Sequence, residues 1–78
     1  MPAVTVRYWA GARRAAARDH EVLHAASVAE LIDQLRQRPE LARVIEASSF
    51  LVDSVAASPA TSLSDGTTVD VLPPFAGG

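Results

Sequence analysis

Apolar and polar residues alternate near the start of the chain, from Val4 to Trp9. A period of two places successive side chains on opposite faces of an extended segment. The two faces are Val4, Val6 and Tyr8 on one side and Thr5, Arg7 and Trp9 on the other. This pattern predicts a half-buried β-strand as the first element.

Three further segments have the composition of strands: His20–His24, Phe50–Val55 and residues 67–72. In the last of these, the alternation separates Val69 and Val71 from Thr68, Asp70 and Leu72. The preceding Asp65–Gly66 pair is typical of a turn, because both residue types tolerate positive φ. Gly11–Ala17 has almost no large apolar side chains, so we interpret it as a connecting loop or a short helix.

One stretch has the 3.6-residue period of a helix, with an apolar stripe formed by Val28, Leu31, Ile32 and Leu35. Ser27 and Glu30 fit a capping box, in which Glu30 reaches back to the amide of Ser27. Pro39 disfavours the helical conformation at the residue before it and therefore ends the helix. Apolar residues at positions 41, 44 and 45 indicate another short helical turn.

This order of elements predicts an α+β domain, a mixed sheet with one main helix packed across it. A chain of 78 residues has room for one domain. We assign residues 1–72 to that domain and residues 73–78 to an extended C-terminal tail. The boundary follows from Pro73 and Pro74, which lack amide donors and cannot continue a strand ladder.

Composition narrows the classes of function. The chain has no Cys, two His and a formal net charge of -2, so we expect no nucleic-acid partner, no metal site and no bound cofactor. His20 and His24 would share one strand face, and we interpret both as solvated or hydrogen-bonded. The first residues resemble neither a signal peptide nor a membrane span, which favours a cytoplasmic protein without a membrane partner.

The sequence closes with Pro73-Pro74-Phe75-Ala76-Gly77-Gly78. Six extended residues reach about 20 Å, and glycines without side chains let a terminal carboxylate enter a narrow channel. Adenylation by ATP would make this carboxylate an acyl donor, and a sulfur nucleophile would convert it to a thiocarboxylate. The chain lacks a phosphate-binding glycine loop, so a partner enzyme would supply the ATP site. The alternative is an ordinary mobile chain end.

Four segments together match a family pattern: Val6-Arg7-Tyr8-Trp9-Ala10 followed by Arg13, then Ser27-Val28-Ala29-Glu30-Leu31, then Leu63-Ser64-Asp65-Gly66, and the final Pro-Pro-x-x-Gly-Gly. On these residues, which span nearly the whole chain, the sequence resembles the MoaD-type sulfur carriers, the small subunits of molybdopterin synthase. The resemblance implies the β-grasp, or ubiquitin-like, fold. It places the first and last strands side by side and parallel in the centre of the sheet.

The resemblance also implies roles for individual residues. Gly78 would be adenylated and thiocarboxylated, and the tail residues that would lie in the partner's channel are Pro73, Pro74, Phe75, Ala76 and Gly77. Trp9 and Leu72 match partner-contact positions, and their strand faces predict an exposed apolar patch. Arg13 matches a residue that helps docking. The alternatives are that Trp9 merely covers a sheet edge and that Arg13 is a solvated charge.

The expected partners are an adenylating enzyme that uses ATP, a sulfurtransferase, and the large synthase subunit in a heterotetramer, with this chain non-catalytic alone. Three positions differ from the family pattern: Arg14 stands where an acidic residue is frequent, Ala17 where Gly is frequent and Asp53 where Asn is frequent. The resemblance therefore does not fix the shape of the loop after the first strand or the choice of partner. Alternative functions are a sulfur carrier for thiamine or cysteine biosynthesis, a ubiquitin-like modifier joined through Gly78 to Lys, and a non-covalent interaction domain.

Overall fold

The computed structural model describes residues 1–74. Phe75 to Gly78, to which the sequence assigns the chemistry, lie outside the described residues. The elements, in chain order, are β1 (Ala3–Tyr8), α1 (Ala10–Ala16), β2 (His20–His24), α2 (Val28–Arg36), α3 (Pro39–Ala47), β3 (Ser49–Val52), β4 (Val55–Ala56) and β5 (Thr68–Leu72). They form one mixed sheet with helices on one face, which confirms the α+β prediction.

The strands follow the order β2-β1-β5-β3-β4. β5 is central and parallel to β1, with Val6 opposite Val69 and Arg7 opposite Asp70. The pairs β1–β2 and β3–β5 are antiparallel. The first and last strands therefore lie side by side and parallel, as the resemblance implies.

The core lies between the sheet and the helices. It contains the predicted apolar faces of β1, α2 and β5, with the fully buried residues Val4, Val6, Val28, Leu31, Leu35, Val69 and Val71. The other face of the sheet carries the alternate residues of each strand. Because strand side chains alternate between faces, Arg7, Asp70 and Leu51 lie in one row across that open face.

The helical content exceeds the prediction of one main helix. The apolar residues after Pro39 belong to a nine-residue helix, α3, in which Leu41 and Ile45 are buried. Pro39 is at the start of α3, where its missing amide donor costs nothing, and Arg38 before it is extended. Pro39 thus begins one helix as well as limiting the other.

The capping prediction for α2 holds at one bond and is wrong at the other. Ser27 Oγ accepts from the Glu30 amide at 3.2 Å, as predicted. Glu30 Oε1, however, accepts from the amide of Ala26 at 3.0 Å and not from that of Ser27. The carboxylate therefore satisfies a donor one residue earlier than a standard capping box does.

The third predicted strand, Phe50–Val55, is wrong as a single element. Asp53 and Ser54 have φ values of 46° and 71° and form a two-residue turn between β3 and β4. Positive φ at both turn residues is the hairpin geometry that matches strand twist. Asp53 Oδ1 also accepts from the amide of Thr68 at 3.0 Å, which ties this turn to β5.

The segment predicted as a loop or short helix, Gly11–Ala17, is a short helix: α1 spans Ala10–Ala16, and Ala17 is its C-terminal cap at φ 60° and ψ 31°. This is the left-handed conformation that glycine adopts at helix ends with least strain. Ala17 therefore keeps the backbone shape expected of a glycine at this position.

Candidate functional site

The tail leaves the sheet at the end of β5, where Pro73 and Pro74 follow Leu72. Pro73 lines two recesses, one formed with residues at the junction of β1 and α1 and the other between α1 and α3. The emerging chain is therefore bordered by apolar surface on both sides. We call this region, comprising the two recesses and Pro73–Pro74, the tail-exit site.

The first recess has a volume of about 240 Å³ and is lined by Trp9, Ala10, Leu72 and Pro73. Trp9 is 44% exposed and stands just beyond the end of β1, as the N-cap residue of α1. The structure thus brings together Trp9 and Leu72, the two residues expected to form an apolar patch. Trp9 belongs to the strand-to-helix junction and not to a sheet edge.

The second recess, of about 380 Å³, is a groove between α1 and α3 lined by Ala10, Gly11, Arg14, Val44, Ala47, Pro73 and Pro74. Ala10 lines both recesses and has a φ of 47°, a left-handed conformation that turns the chain sharply after Trp9. Arg14 is the charged residue of this groove. Its basic side chain replaces the acidic residue that the resemblance leads one to expect.

Arg13 lines neither recess. Its Nη1 atom lies 3.7 Å from Asp19 Oδ1, and both side chains are more than half exposed. An exposed ion pair of this kind contributes little to stability, because water and salt screen it. Arg13 is accordingly a surface charge near the site, available to a partner.

A buried carboxylate organises the open face beside the first recess. Asp70 Oδ1 accepts from Arg7 Nε at 2.6 Å and from Trp9 Nε1 at 3.0 Å, and Asp70 Oδ2 accepts from Arg7 Nη2 at 3.0 Å. The guanidinium carbon of Arg7 lies 5.6 Å from the centre of the Trp9 ring, within cation–π range. The hydrogen bonds from Arg7 hold the pKa of Asp70 below its usual value, despite the opposing effect of burial.

Sequence reasoning missed Asp70 as a member of the site. The signal was present, since Arg7 and Asp70 occupy open-face positions of the first and last strands. Once those strands are parallel neighbours, their register places the two residues side by side. Opposite charges at such a cross-strand pair form a contact of the kind that stabilises sheets.

A second buried carboxylate lies on the helix side of the sheet. Glu21 accepts from the Tyr8 hydroxyl and from both terminal nitrogens of Arg38, at 2.6 and 3.0 Å. Burial raises the pKa of Glu21, but the hydrogen bonds from Arg38 and Tyr8 outweigh it and leave the pKa lowered. Burial and the neighbouring Glu21 charge raise the pKa of Tyr8. This cluster fastens the segment between α2 and α3 to the sheet.

The two histidines lie on one face of the edge strand β2, as predicted, and both are exposed. Within residues 1–74 the structure contains no group of three His, Asp or Glu side chains placed to hold a metal ion. Over the same residues, none of the helices has the length and apolar character needed to cross a bilayer.

Comparison with solved structures identifies the fold. A protein described as molybdopterin converting factor subunit 1 from Pyrococcus furiosus is 26% identical, with a TM-score of 0.82 over 96% of this chain and 100% of that one. Small archaeal modifier protein 1 from Methanosarcina acetivorans is 20% identical, with a TM-score of 0.84 over 100% and 98% of the two chains. The fold is therefore the β-grasp fold, as the resemblance implied, with three helices among residues 1–74.

A third similar structure is a complex of subunits 1 and 2 of the molybdopterin-converting factor from Helicobacter pylori. The matching chain of that complex is 22% identical to this chain, with a TM-score of 0.78 over 97% of this chain and 99% of that one. A search of curated proteins returned no match.

The ThiS family model matches residues 6–78, which include the second half of β1, all of β5, the tail-exit site and the terminal glycines. The chain therefore belongs to the ThiS family.

Proposed function

We propose that this protein is a sulfur carrier whose Gly78 carboxylate is activated, converted to a thiocarboxylate and used in molybdopterin biosynthesis. The observation that carries the proposal is the Pro73–Gly78 tail, which follows directly from the central strand of a ThiS-family domain. The molybdopterin assignment draws its support from the Pyrococcus furiosus protein, 26% identical and described as a molybdopterin converting factor subunit.

The chemistry takes place at the carboxyl group of Gly78, which is first activated, then loaded with sulfur and finally restored. A carboxylate oxygen of Gly78 attacks the α-phosphorus of ATP, and pyrophosphate leaves. A hydrosulfide-level nucleophile then attacks the carbonyl carbon, and AMP leaves with the oxygen. In the last step, the thiocarboxylate sulfur attacks an electrophilic carbon of the pterin precursor, and an oxygen substituent leaves that carbon as water. A second water then attacks the acyl carbon, so that the acyl–sulfur bond breaks, the sulfur stays on the pterin and the Gly78 carboxylate is restored.

This scheme divides the work between the carrier and its partners. The adenylating enzyme binds ATP, a sulfurtransferase supplies the sulfur, and a large synthase subunit holds the pterin precursor. The carrier contributes Gly78 on a slim tail and a docking surface at the tail-exit site, where Trp9 and Leu72 contact the partner. Arg13 contacts the partner from outside the two recesses. We place these steps in the cytoplasm, with the carrier and the large subunit joined as a heterotetramer.

Intact-mass and C-terminal-peptide mass spectrometry test the proposal directly. The protein, tagged at its N-terminus, is recovered with its partners from its own cells. The expected result is a mass shift equal to replacement of one oxygen by sulfur at Gly78, together with a large pterin-synthase subunit. A variant lacking Gly78 should fail to support cofactor synthesis, whereas a variant lacking only Met1 should support it.

Other outcomes would redirect the assignment. Co-purification with a thiazole synthase or a cysteine synthase would keep the sulfur carrier and change the pathway. An amide bond between Gly78 and a Lys of another protein would make the chain a modifier. A carboxylate that is always free, with no adenylating partner, would leave a non-covalent interaction domain and overturn the proposal.

A further inference from the structure

We propose that Asp70 is a positioning residue for the partner surface, because it holds the Trp9 indole in place beside Leu72 before any partner binds. This inference rests on the proposed function. It adds that Asp70 fixes the shape of the first recess by fixing the orientation of Trp9. Asp70 touches neither the tail carboxylate nor any reacting atom, so its role is exerted through Trp9.

The backbone does not by itself fix the Trp9 side chain. The β1 ladder ends at Tyr8, and the Trp9 side chain makes no capping bond to α1. Trp9 is also nearly half exposed and is not among the buried core residues, so core packing restrains only part of its surface. Ordering a free aromatic side chain when a partner binds weakens the complex, because the lost rotamer freedom opposes association.

Asp70 supplies the missing constraint from the neighbouring strand. Its position opposite Arg7 brings the carboxylate to the nitrogen of the indole, and Oδ1 accepts from both the Trp9 Nε1–H and the Arg7 Nε–H. Only 6% of the Asp70 side chain is exposed, so water competes weakly for these bonds. The indole is thus held at its nitrogen by Asp70 and across its face by Arg7.

This arrangement also accounts for a carboxylate buried on an otherwise accessible face. A cross-strand ion pair with Arg7 alone would use two carboxylate contacts, and the structure shows a third contact, to Trp9. The third bond connects the sheet to the wall of the recess lined by Leu72 and Pro73. A partner dissociates more slowly from an apolar docking surface when the anchoring side chain is rigid than when it is mobile.

The test uses the fact that Trp9 is the single tryptophan in the chain. The full-length protein therefore has one indole N–H signal in a nitrogen–proton correlation spectrum. In Asp70→Ala this signal should move to the position of a free, solvent-exposed indole. In Asp70→Asn, where an amide oxygen still accepts from the indole, the signal should stay closer to that of the wild type.

Partner binding is measured with the cognate adenylating enzyme and the large synthase subunit, each immobilised. Asp70→Ala should dissociate roughly 5- to 20-fold faster than wild type, and Asp70→Asn should recover part of that loss. Glu21→Gln is the matched control, because it disrupts the other buried ion pair at a distance from the recess. It should lower stability while leaving the indole signal and the dissociation rate unchanged.

An indole signal that is unchanged in Asp70→Ala would overturn the inference, as would unchanged dissociation rates when the signal has moved. A faster dissociation of Glu21→Gln, equal to that of Asp70→Ala, would also overturn it, since lost stability alone would then explain both. Failure of the wild-type chain to bind either partner contradicts the proposed function instead. In that case the indole signals still decide whether Asp70 orients Trp9.

Discussion

The Tyr8 hydroxyl and the Arg38 guanidinium meet at the same carboxylate oxygen of Glu21. Arg38 Nη1 lies 2.6 Å from Glu21 Oε2 and 3.3 Å from the Tyr8 oxygen, and the Tyr8 hydroxyl donates to Oε2. One carboxylate thus joins β1, β2 and the segment between α2 and α3. Glu21 joins neighbouring elements on the helix side of the sheet, as Asp70 joins Arg7 and Trp9 on the open face.

Removing the Tyr8 hydroxyl should destabilise the domain without disturbing its core. The Tyr8 ring is buried, so Tyr8→Phe keeps the ring packing and deletes the hydrogen bond to Glu21 together with the longer one that Arg38 donates to the hydroxyl. Because a bond to a charged acceptor is lost, we expect the free energy of unfolding to fall by about 1–2 kcal/mol. Urea unfolding followed by circular dichroism measures this change, and an unaltered midpoint would show that the bond contributes nothing.

Acid should destabilise the protein through its two buried carboxylates. The pKa of Asp70 is lowered chiefly by Arg7, and that of Glu21 is lowered by Arg38 and Tyr8 against the effect of burial. The unfolded chain therefore binds protons at a higher pH than the folded chain does. Stability present above the ordinary carboxyl pKa, about 4, is lost as pH falls from about 5 towards 3.

Urea midpoints across this acid range check the sign. The wild-type midpoint should decline with falling pH, and the decline should be shallower in a Glu21→Gln variant because one titrating group is gone. A steeper decline in that variant would contradict the assignment of the acid sensitivity to Glu21. Exposed Glu46, which has no ion pair among residues 1–74, provides the control Glu46→Gln.

Glycine at position 17 should stabilise the protein. Ala17 has a left-handed backbone, which strains any residue with a Cβ atom. Relief of that strain exceeds the added freedom of the unfolded chain, so Ala17→Gly should raise the free energy of unfolding by about 0.5–1 kcal/mol. Ala16→Gly, one residue earlier and inside α1, should lower it by about 0.5–1 kcal/mol. Equal effects of the two substitutions would refute the argument.

Periodicity predicted much of the fold because burial decides most of it. The alternation in Val4–Tyr8 and the stripe through Leu31 and Leu35 are each buried as expected. Short-range backbone geometry was harder to predict. The Asp53–Ser54 turn contains no glycine, so the sequence read as one continuous strand, although Asp is among the residues that tolerate a left-handed backbone.

The candidate site shows the same division. Trp9 and Leu72 were predicted to form one patch because alternation gives their strand faces and the resemblance makes the two strands neighbours, and they line one recess. Asp70 was missed because an acidic residue at an open-face position is usually solvated, and its burial depends on the register with Arg7. The groove beside α3 was also missed, since the full length of α3 was not predicted.

The last prediction concerns the width of the tail. In the proposed function, Gly77 passes through a partner channel that fits no larger residue, so Gly77→Val should block formation of the Gly78 adenylate while leaving the folded domain unchanged. We expect a fall of at least about tenfold in the rate of pyrophosphate release with the cognate adenylating enzyme and ATP. Ala76→Gly, which narrows the tail, is the matched control and should retain charging. Normal charging of the Gly77→Val variant would show that the channel does not select for glycine at this position, and the docking surface at Trp9 and Leu72 would then account for partner choice.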